Sequence, residues 1–235
     1  MRRHLDDRPC RPTAAGPGAH RHRGQTRHRG GRNNRVRVRA IVPQKPLPDA
    51  KSRLAGALSG PARATLSLAL LRTVCATLRA VPDIEDTIIM TPDVAVQAQA
   101  AAWGARAILD PYPELNAALA EAFLRLAGGS HGILVVAADL PFLRPADIIA
   151  LLRAGRARSL ALAPSKDGGT NAMLVPPGIT FRPAYGPGSL AAHRRRSRAL
   201  GLGIVEVRRP GLTFDVDTEA DLVSVRAATP PSAAG

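Results

Sequence analysis

The feature that most constrains this chain is the run Ile133-Leu-Val-Val-Ala-Ala138, which ends in Asp139-Leu140-Pro141. An unbroken apolar run rich in β-branched residues suits a strand covered on both faces, and such strands sit in the middle of sheets whose crossover helices lie on both sides. The flanking sequence agrees. Val36, Val38, Ala40 and Val42 alternate with Arg35, Arg37 and Arg39, a period of two that ends at Pro43 and predicts a first strand with an exposed arginine side. After Ser59-Gly60-Pro61, the residues Leu66, Leu70, Val74 and Leu78 recur every four positions, predicting an amphipathic helix opened by a capping serine and an early proline. Further strands are predicted at 87–90, 105–109, 160–163, 172–175 and 204–207, with a short extended piece at 214–216. Helices are predicted at 93–103, 116–126 (closed by Gly128-Gly129), 145–152 and 189–200, and a last one begins at Thr218-x-x-Asp221, a capping-box pattern. Such alternation implies an α/β fold in three layers, a mostly parallel sheet with helices on both faces and the 133–138 strand at its centre. Ligands of open sheets of this kind bind beyond the carboxyl ends of the strands, so the loops that follow strands are where chemistry is expected.

Composition narrows the function classes. The net charge is +15, yet residues 1–39 hold 12 Arg against 2 Asp, leaving 21 basic and 16 acidic groups for the rest. Large apolar residues are almost lacking before Val36, so burial cannot offset the ordering entropy there, and residues 1–34 are expected to be a disordered basic tail. Residues 35–226 then form a single domain, and 227–235 a flexible end. No apolar stretch approaches the roughly 20 residues of a membrane helix, and no apolar segment follows the early charges as in a secretory signal. Cys10 and Cys75 form no CxxC pair, so neither a disulfide framework nor a cysteine zinc site is read, and the cytoplasm is the expected compartment. The tail makes a basic RNA-binding protein the rival from another class. With 4 Phe, 2 Tyr and 1 Trp in the whole chain and none of them in the tail, base stacking has little to work with, and nucleic acid is not the expected partner.

The loop after the first strand, from Pro43 to Leu54, carries Lys45, Lys51 and Arg53, cations suited to a triphosphate. It contains neither GxxxxGK[ST] nor GxGxxG, which removes the phosphate loop of ATPases and the dinucleotide fingerprint. Asp139 ends the central strand, and Asp215-Val216-Asp217 sets two carboxylates on one side of an extended segment, so the three together could hold one or two magnesium ions. Lys166-Asp-Gly-Gly-Thr-Asn171 and Tyr185-Gly-Pro-Gly-Ser189 allow close backbone approach to an anion, and Ser189 would head a helix whose first amides favour negative charge. His131 and His193 have no visible nucleophile partner, so an acyl-transfer triad is unsupported, and Arg194, Arg195 and Arg196 read as a solvated helix face.

Taken in order, "IVPQKPLPDAKSRL", Thr91-Pro-Asp93, "LNAAL" at 115–119, "ADLPFL" at 138–143, "DGGTNAMLV" at 167–175, "YGPGS" at 185–189 and "GLTFDVDTEADL" at 211–222 resemble the 2-phospho-L-lactate/phosphoenolpyruvate guanylyltransferase family. The resemblance implies a nucleotidyltransferase fold of the GT-A/Rossmann-like kind. It also implies transfer of GMP from GTP to the phosphate of phosphoenolpyruvate or 2-phospho-L-lactate, with release of pyrophosphate, in biosynthesis of the deazaflavin coenzyme F-420. By the family's pattern the phospho-acid is held at Thr170, Gly186 and Ser189, with Asn171 the alternative to Thr170. The nucleotide falls to Lys45, Lys51, Arg53 and Asn116, and Mg2+ to Asp139, Asp215 and Asp217. The implied partners are GTP, the phospho-acid, a downstream transferase that takes the labile product, and a second copy of the chain in a homodimer. Tyr185 stands where the family more often has phenylalanine, and the composition, rich in Ala, Arg, Gly and Pro, leans toward phosphoenolpyruvate. Molybdenum-cofactor and sugar-phosphate nucleotidyltransferases, of similar fold, usually carry a glycine-rich LAGG-type loop where this chain has "PQKPLPDAKSRL".

Overall fold

The computed structural model describes residues 37–110, 114–126 and 130–228. Its strands are β1 (Val38–Pro43), β2 (Ile84–Thr91), β3 (Arg106–Leu109), β4 (Gly132–Val136), β5 (Ser159–Pro164), β6 (Thr170–Val175) and β7 (Gly203–Glu206). They form one sheet in the order β3-β2-β1-β4-β6-β5-β7. The helices are α1 (Gly60–Arg79), α2 (Val94–Ala100), α3 (Leu115–Leu126), α4 (Pro145–Ala154), α5 (Ser189–Ala199), α6 (Pro210–Thr213) and α7 (Glu219–Ala228).

The continuous apolar run does become the middle strand, and β4 is buried along its whole length. Its side chains alternate between two cores. Leu134 and Val136 pack with Val74 and Leu78 of α1 and Ile148 and Leu151 of α4. Ile133 and Val135 face the other way, onto Leu119 and Phe123 of α3 and Leu190 of α5. This is the expected three-layer arrangement. In β1 the arginine side is open only at the start, where Arg37 is exposed and Arg39 half-buried; Ile41 is fully buried. At the head of α1 the Ser59 hydroxyl accepts from the Ala62 amide at 3.4 Å, the cap the sequence signals.

Two local expectations need correction. Residues 210–213, unassigned by periodicity, form α6, and the extended piece after it pairs with no strand among the described residues. The last helix, α7, continues through residues 227 and 228. The expected tail at 1–34, the closing pair Gly128-Gly129 and residues 229–235 lie outside the described residues.

Strand direction positions the site. β1 runs parallel to β2 and β4, β2 to β3, and β5 to β7, whereas β6 is antiparallel to both of its neighbours. The carboxyl ends of the parallel strands therefore share an edge with the start of β6. Val136 pairs with Ala172, and the Ala137 amide donates to the Asn171 carbonyl at 2.7 Å. The strand order departs in opposite directions from β1 and β4, which opens a crevice between their carboxyl ends. Among the described residues no helix is long and apolar enough to cross a membrane.

Candidate active site

The segment after β1 folds into two short 3-10 turns, Leu47–Asp49 and Ser52–Leu54, with Lys51 between them. Lys51 is held at φ 53°, a left-handed conformation costing a side-chain-bearing residue about 1–3 kcal/mol. The loop is anchored on both sides. Leu54 is fully buried with Leu70, Val216 and Leu222. Asp93 caps α2 by accepting from the Ala95 amide at 2.9 Å, and with its other oxygen accepts from the Leu47 amide at 2.8 Å. The strained turn delivers the Lys51 ammonium into the crevice, where it pairs with the Asp139 carboxylate and donates to the Val216 carbonyl at 2.6 Å and Asp217 Oδ1 at 3.4 Å. Arg53, exposed, reaches Asp217 Oδ2 at 3.1 Å. Lys45 is exposed and makes no ion pair among the described residues.

The three aspartates predicted as metal ligands share this corner. Asp139 lies three residues beyond β4, and its carbonyl accepts from the Val216 amide at 3.2 Å, which lays the Asp215–Asp217 segment alongside it. Asp215 is buried, and its Oδ1 has no hydrogen-bond partner. Burial first, then the charges of Asp139 and Asp217, push its carboxyl up to about 6, with Lys166 opposing. No group of three or more His, Cys, Asp or Glu is arranged as a metal centre among the described residues, and the cation between Asp139 and Asp217 is Lys51. The donors nonetheless fit a hard cation. An orphaned buried carboxylate oxygen, in a group whose proton is held tightly by burial and then by the two carboxylates facing it, is what a divalent ion satisfies.

Two residues that the sequence reading gave no site role hold this corner in place. Asp221 Oδ2 accepts from the Asp217 amide at 3.0 Å and the Thr218 amide at 2.7 Å. Its Oδ1 pairs with Lys166, whose ammonium also donates to the Asp215 carbonyl at 3.1 Å and lies 5.0 Å from the Phe214 ring centre. Burial would raise the Asp221 carboxyl, but the bonds from Lys166 and the two amides outweigh it and hold the group well below the usual carboxylate range.

Beside the carboxylates lies a hydroxyl cradle. Thr170 at the start of β6 and Ser189 at the start of α5 are both buried, with Oγ to Oγ1 at 3.2 Å. Asn171 turns the other way, donating to the Leu212 and Thr213 carbonyls at 3.0 and 3.3 Å, so it is Thr170 that meets Ser189. Gly186 (φ 126°) and Gly188 (φ 67°) take backbone conformations that favour glycine, and a Cβ on either would touch nothing within 4 Å, so their faces are open to a ligand. The Leu190 amide donates to the Gly168 carbonyl at 3.3 Å, joining the two glycine loops. Asn116 spends its amide on this loop, donating to the Tyr185 carbonyl at 2.8 Å and accepting from the Tyr185 amide at 2.6 Å. Arg195 and Arg196 of α5 are exposed, as expected of a solvated helix face, and Arg194 is half-buried. Arg194 pairs with Glu206 at 2.8 Å, and Arg196 donates to the Arg182 carbonyl at 2.8 Å and to that of Pro183.

Residues 38–227 match the family model described as "Guanylyl transferase CofC like". A phosphoenolpyruvate guanylyltransferase from Sphaerobacter thermophilus is 41% identical over 199 residues, covering 83% of this chain and 95% of its own length. One from Rubrobacter xylanophilus is 37% identical over 193 residues, covering 81% and 94%. Among solved structures, a nucleotidyl transferase from Methanothermobacter superposes with a TM-score of 0.57 at 17% identity, over 82% of this chain and 97% of that one. The CMP:2-keto-3-deoxy-manno-octonic acid synthetase complexed with CTP gives 0.52 at 18% identity, over 82% and 98%. At such identities these two likenesses speak for the fold, that of nucleotidyltransferases.

Proposed function

The chain belongs to the CofC-like guanylyl transferase family, and from that premise we propose that it transfers GMP from GTP to the phosphate of phosphoenolpyruvate, releasing pyrophosphate, in biosynthesis of the deazaflavin coenzyme F-420. The observation that carries the reading is the juxtaposition at one sheet edge of a lysine-bridged aspartate cluster and a buried hydroxyl pair at a helix N-terminus. One suits a nucleoside triphosphate with its counter-ion, the other a small phosphorylated acid.

In the reaction a phosphate oxygen of the acid attacks the α-phosphorus of GTP. A new phosphoanhydride bond forms, the bond from the α-phosphorus to the bridging oxygen breaks, and pyrophosphate leaves with the electron pair. The attacking oxygen is already an anion at neutral pH, so no general base is needed. What the protein must supply is charge neutralisation and alignment of two polyanions. Lys51 and Arg53 meet the triphosphate, and Lys45 reaches it from the rim. Asp139, Asp215 and Asp217 would hold Mg2+, which when bound supplies positive charge at the phosphate oxygens. Thr170 and the open face of Gly186 meet the acid's phosphate, and Ser189 completes the cradle by donating its hydroxyl to Thr170. Asn116 acts through Tyr185, fixing the loop that carries Gly186 and Ser189. The labile product passes to a downstream transferase.

The test is magnesium-dependent pyrophosphate release by the full chain from GTP or ATP, with phosphoenolpyruvate, 2-phospho-L-lactate or 3-phosphoglycerate in turn. The deazaflavin acceptor and its transferase are present to trap the product. Release with GTP and phosphoenolpyruvate is expected. Folded protein that binds GTP yet releases nothing with any acid would move the activity to another acceptor.

A further inference from the structure

His193, in the second turn of α5, has no solvent exposure and no part in the chemistry above. Its Nε2 lies 3.0 Å from the backbone nitrogen of Ala184, and because an amide N–H only donates, Nε2 is the acceptor. A neutral imidazole carries one N–H, so the hydrogen is on Nδ1, which lies 3.1 Å from Thr170 Oγ1 and donates to it. Burial, aided by the charge of Arg196, lowers the ring's pKa to about 4, so it stays neutral near pH 7. The edge of Tyr185 at 5.0 Å and the ring of Phe181 at 6.0 Å, centre to centre, hold its orientation.

Thr170 Oγ1 also accepts from the Ser189 hydroxyl at 3.2 Å. A hydroxyl has two lone pairs and one hydrogen. With both lone pairs engaged, Thr170 can offer a ligand only its hydrogen, and the group it meets must be an acceptor.

We propose that His193 is a positioning residue for the phospho-acid. By donating to Thr170 while accepting from Ala184, it turns the Thr170 hydroxyl into a fixed donor toward a phosphate oxygen and ties the segment before Gly186 to α5. This rests on the reading that the cradle of Thr170, supported by Ser189, holds the acid's phosphate.

Three substitutions separate the two bonds. His193→Phe fills the space and loses both. His193→Asn places an amide nitrogen near the position of Nδ1 and keeps a donor for Thr170, whereas His193→Gln reaches toward Ala184 and does not. In the full chain, His193→Phe should raise the KM for phosphoenolpyruvate about tenfold, the loss of one hydrogen bond's orientation, with the KM for GTP within about twofold. Asn should recover most of that loss, and Gln should not. A folded Phe variant with an unchanged acid KM, or with both KM values raised equally, overturns the proposal. If the Phe variant fails to fold, the contrast of Asn with Gln decides, and equal acid KM values for the two overturn it. Nitrogen-15 chemical shifts of His193 near pH 7 give a reading independent of turnover. The neutral tautomer protonated at Nδ1 is expected, and protonation at Nε2 refutes the geometry. Thr170→Val and Ser189→Ala are measured alongside. If neither raises the acid KM, the cradle assignment fails and this role with it; if they do and the His193 variants do not, the positioning role alone fails.

Discussion

Replacing Asp215 should separate stability from function. Its carboxyl is pushed from the ordinary 3.8 up to about 6, by burial and then by Asp139 and Asp217. Between about pH 4 and about pH 6 the folded state therefore keeps a proton that the unfolded chain has released. Stability from this group is fully present below that window, falls as pH rises through it, and stays low above it. At about 1.4 kcal/mol per pH unit, a rise of roughly two units costs the metal-free protein about 3 kcal/mol near pH 7.5. Asparagine keeps the shape without the charge, though its amide must also find partners. Asp215→Asn should thus be more stable than the parent by about 1–3 kcal/mol, some 3–10 °C in melting temperature for a domain of this size. The assay is thermal unfolding of both proteins in chelator, near pH 4.5 and near pH 7.5. Taking the difference cancels the opposing contributions of Asp167 and Asp221, whose carboxyls are held low. Magnesium should raise the melting temperature of the parent and leave the variant nearly unmoved, since only the parent has the full ligand set. Equal melting temperatures near pH 7.5, or a gap that does not shrink in acid, would refute the reasoning.

Three further substitutions test the neighbouring assignments. Lys51→Met strips Asp139 and Asp217 of their shared cation and should destabilise the metal-free protein by about 3 kcal/mol, with magnesium restoring part of the loss; a neutral effect in chelator-treated melts would contradict the bridge. Asp139→Asn should cut pyrophosphate release at least about 100-fold while the fold melts normally, and an active, folded variant would end its metal role. Asn116→Ala frees the Tyr185 backbone and should raise the acid KM about tenfold with little change for GTP, whereas a rise in the GTP KM alone would return Asn116 to the nucleotide.

The elements of the sheet were legible because their signals are local. The apolar run that becomes β4, the period-two start of β1 and the four-residue spacing of α1 each report how a segment buries its own side chains, and burial is what folds them. The direction of β6 was not legible. A fully buried strand such as Thr170–Val175 reads the same whichever way it runs, yet only the antiparallel course brings its first residue to the carboxyl edge. α6 was missed because four residues are too few to show a period.

The site divides along the same line. The aspartates were found because DxD and strand-end Asp are short patterns, and the hydroxyl cradle because glycines mark it. What holds those groups is set by closure of the chain. Lys51 meets Asp139 across 88 residues of sequence, and Lys166 meets Asp221 across 55. No local pattern announces either pair, and Lys51 sits in a left-handed turn without the glycine or asparagine that would flag one. Asp221 does carry a signal, but the signal of a helix cap, a short-range job that hides the long-range one. The division has a physical root. Three carboxylates in one corner repel one another, and the fold sets two lysines from separate loops there: Lys51 on Asp139 and Asp217, and Lys166 on the Asp215 carbonyl and Asp221. Asp215 is the member left short, with one buried oxygen unpaired and its carboxyl pushed up by burial and by its two acidic neighbours.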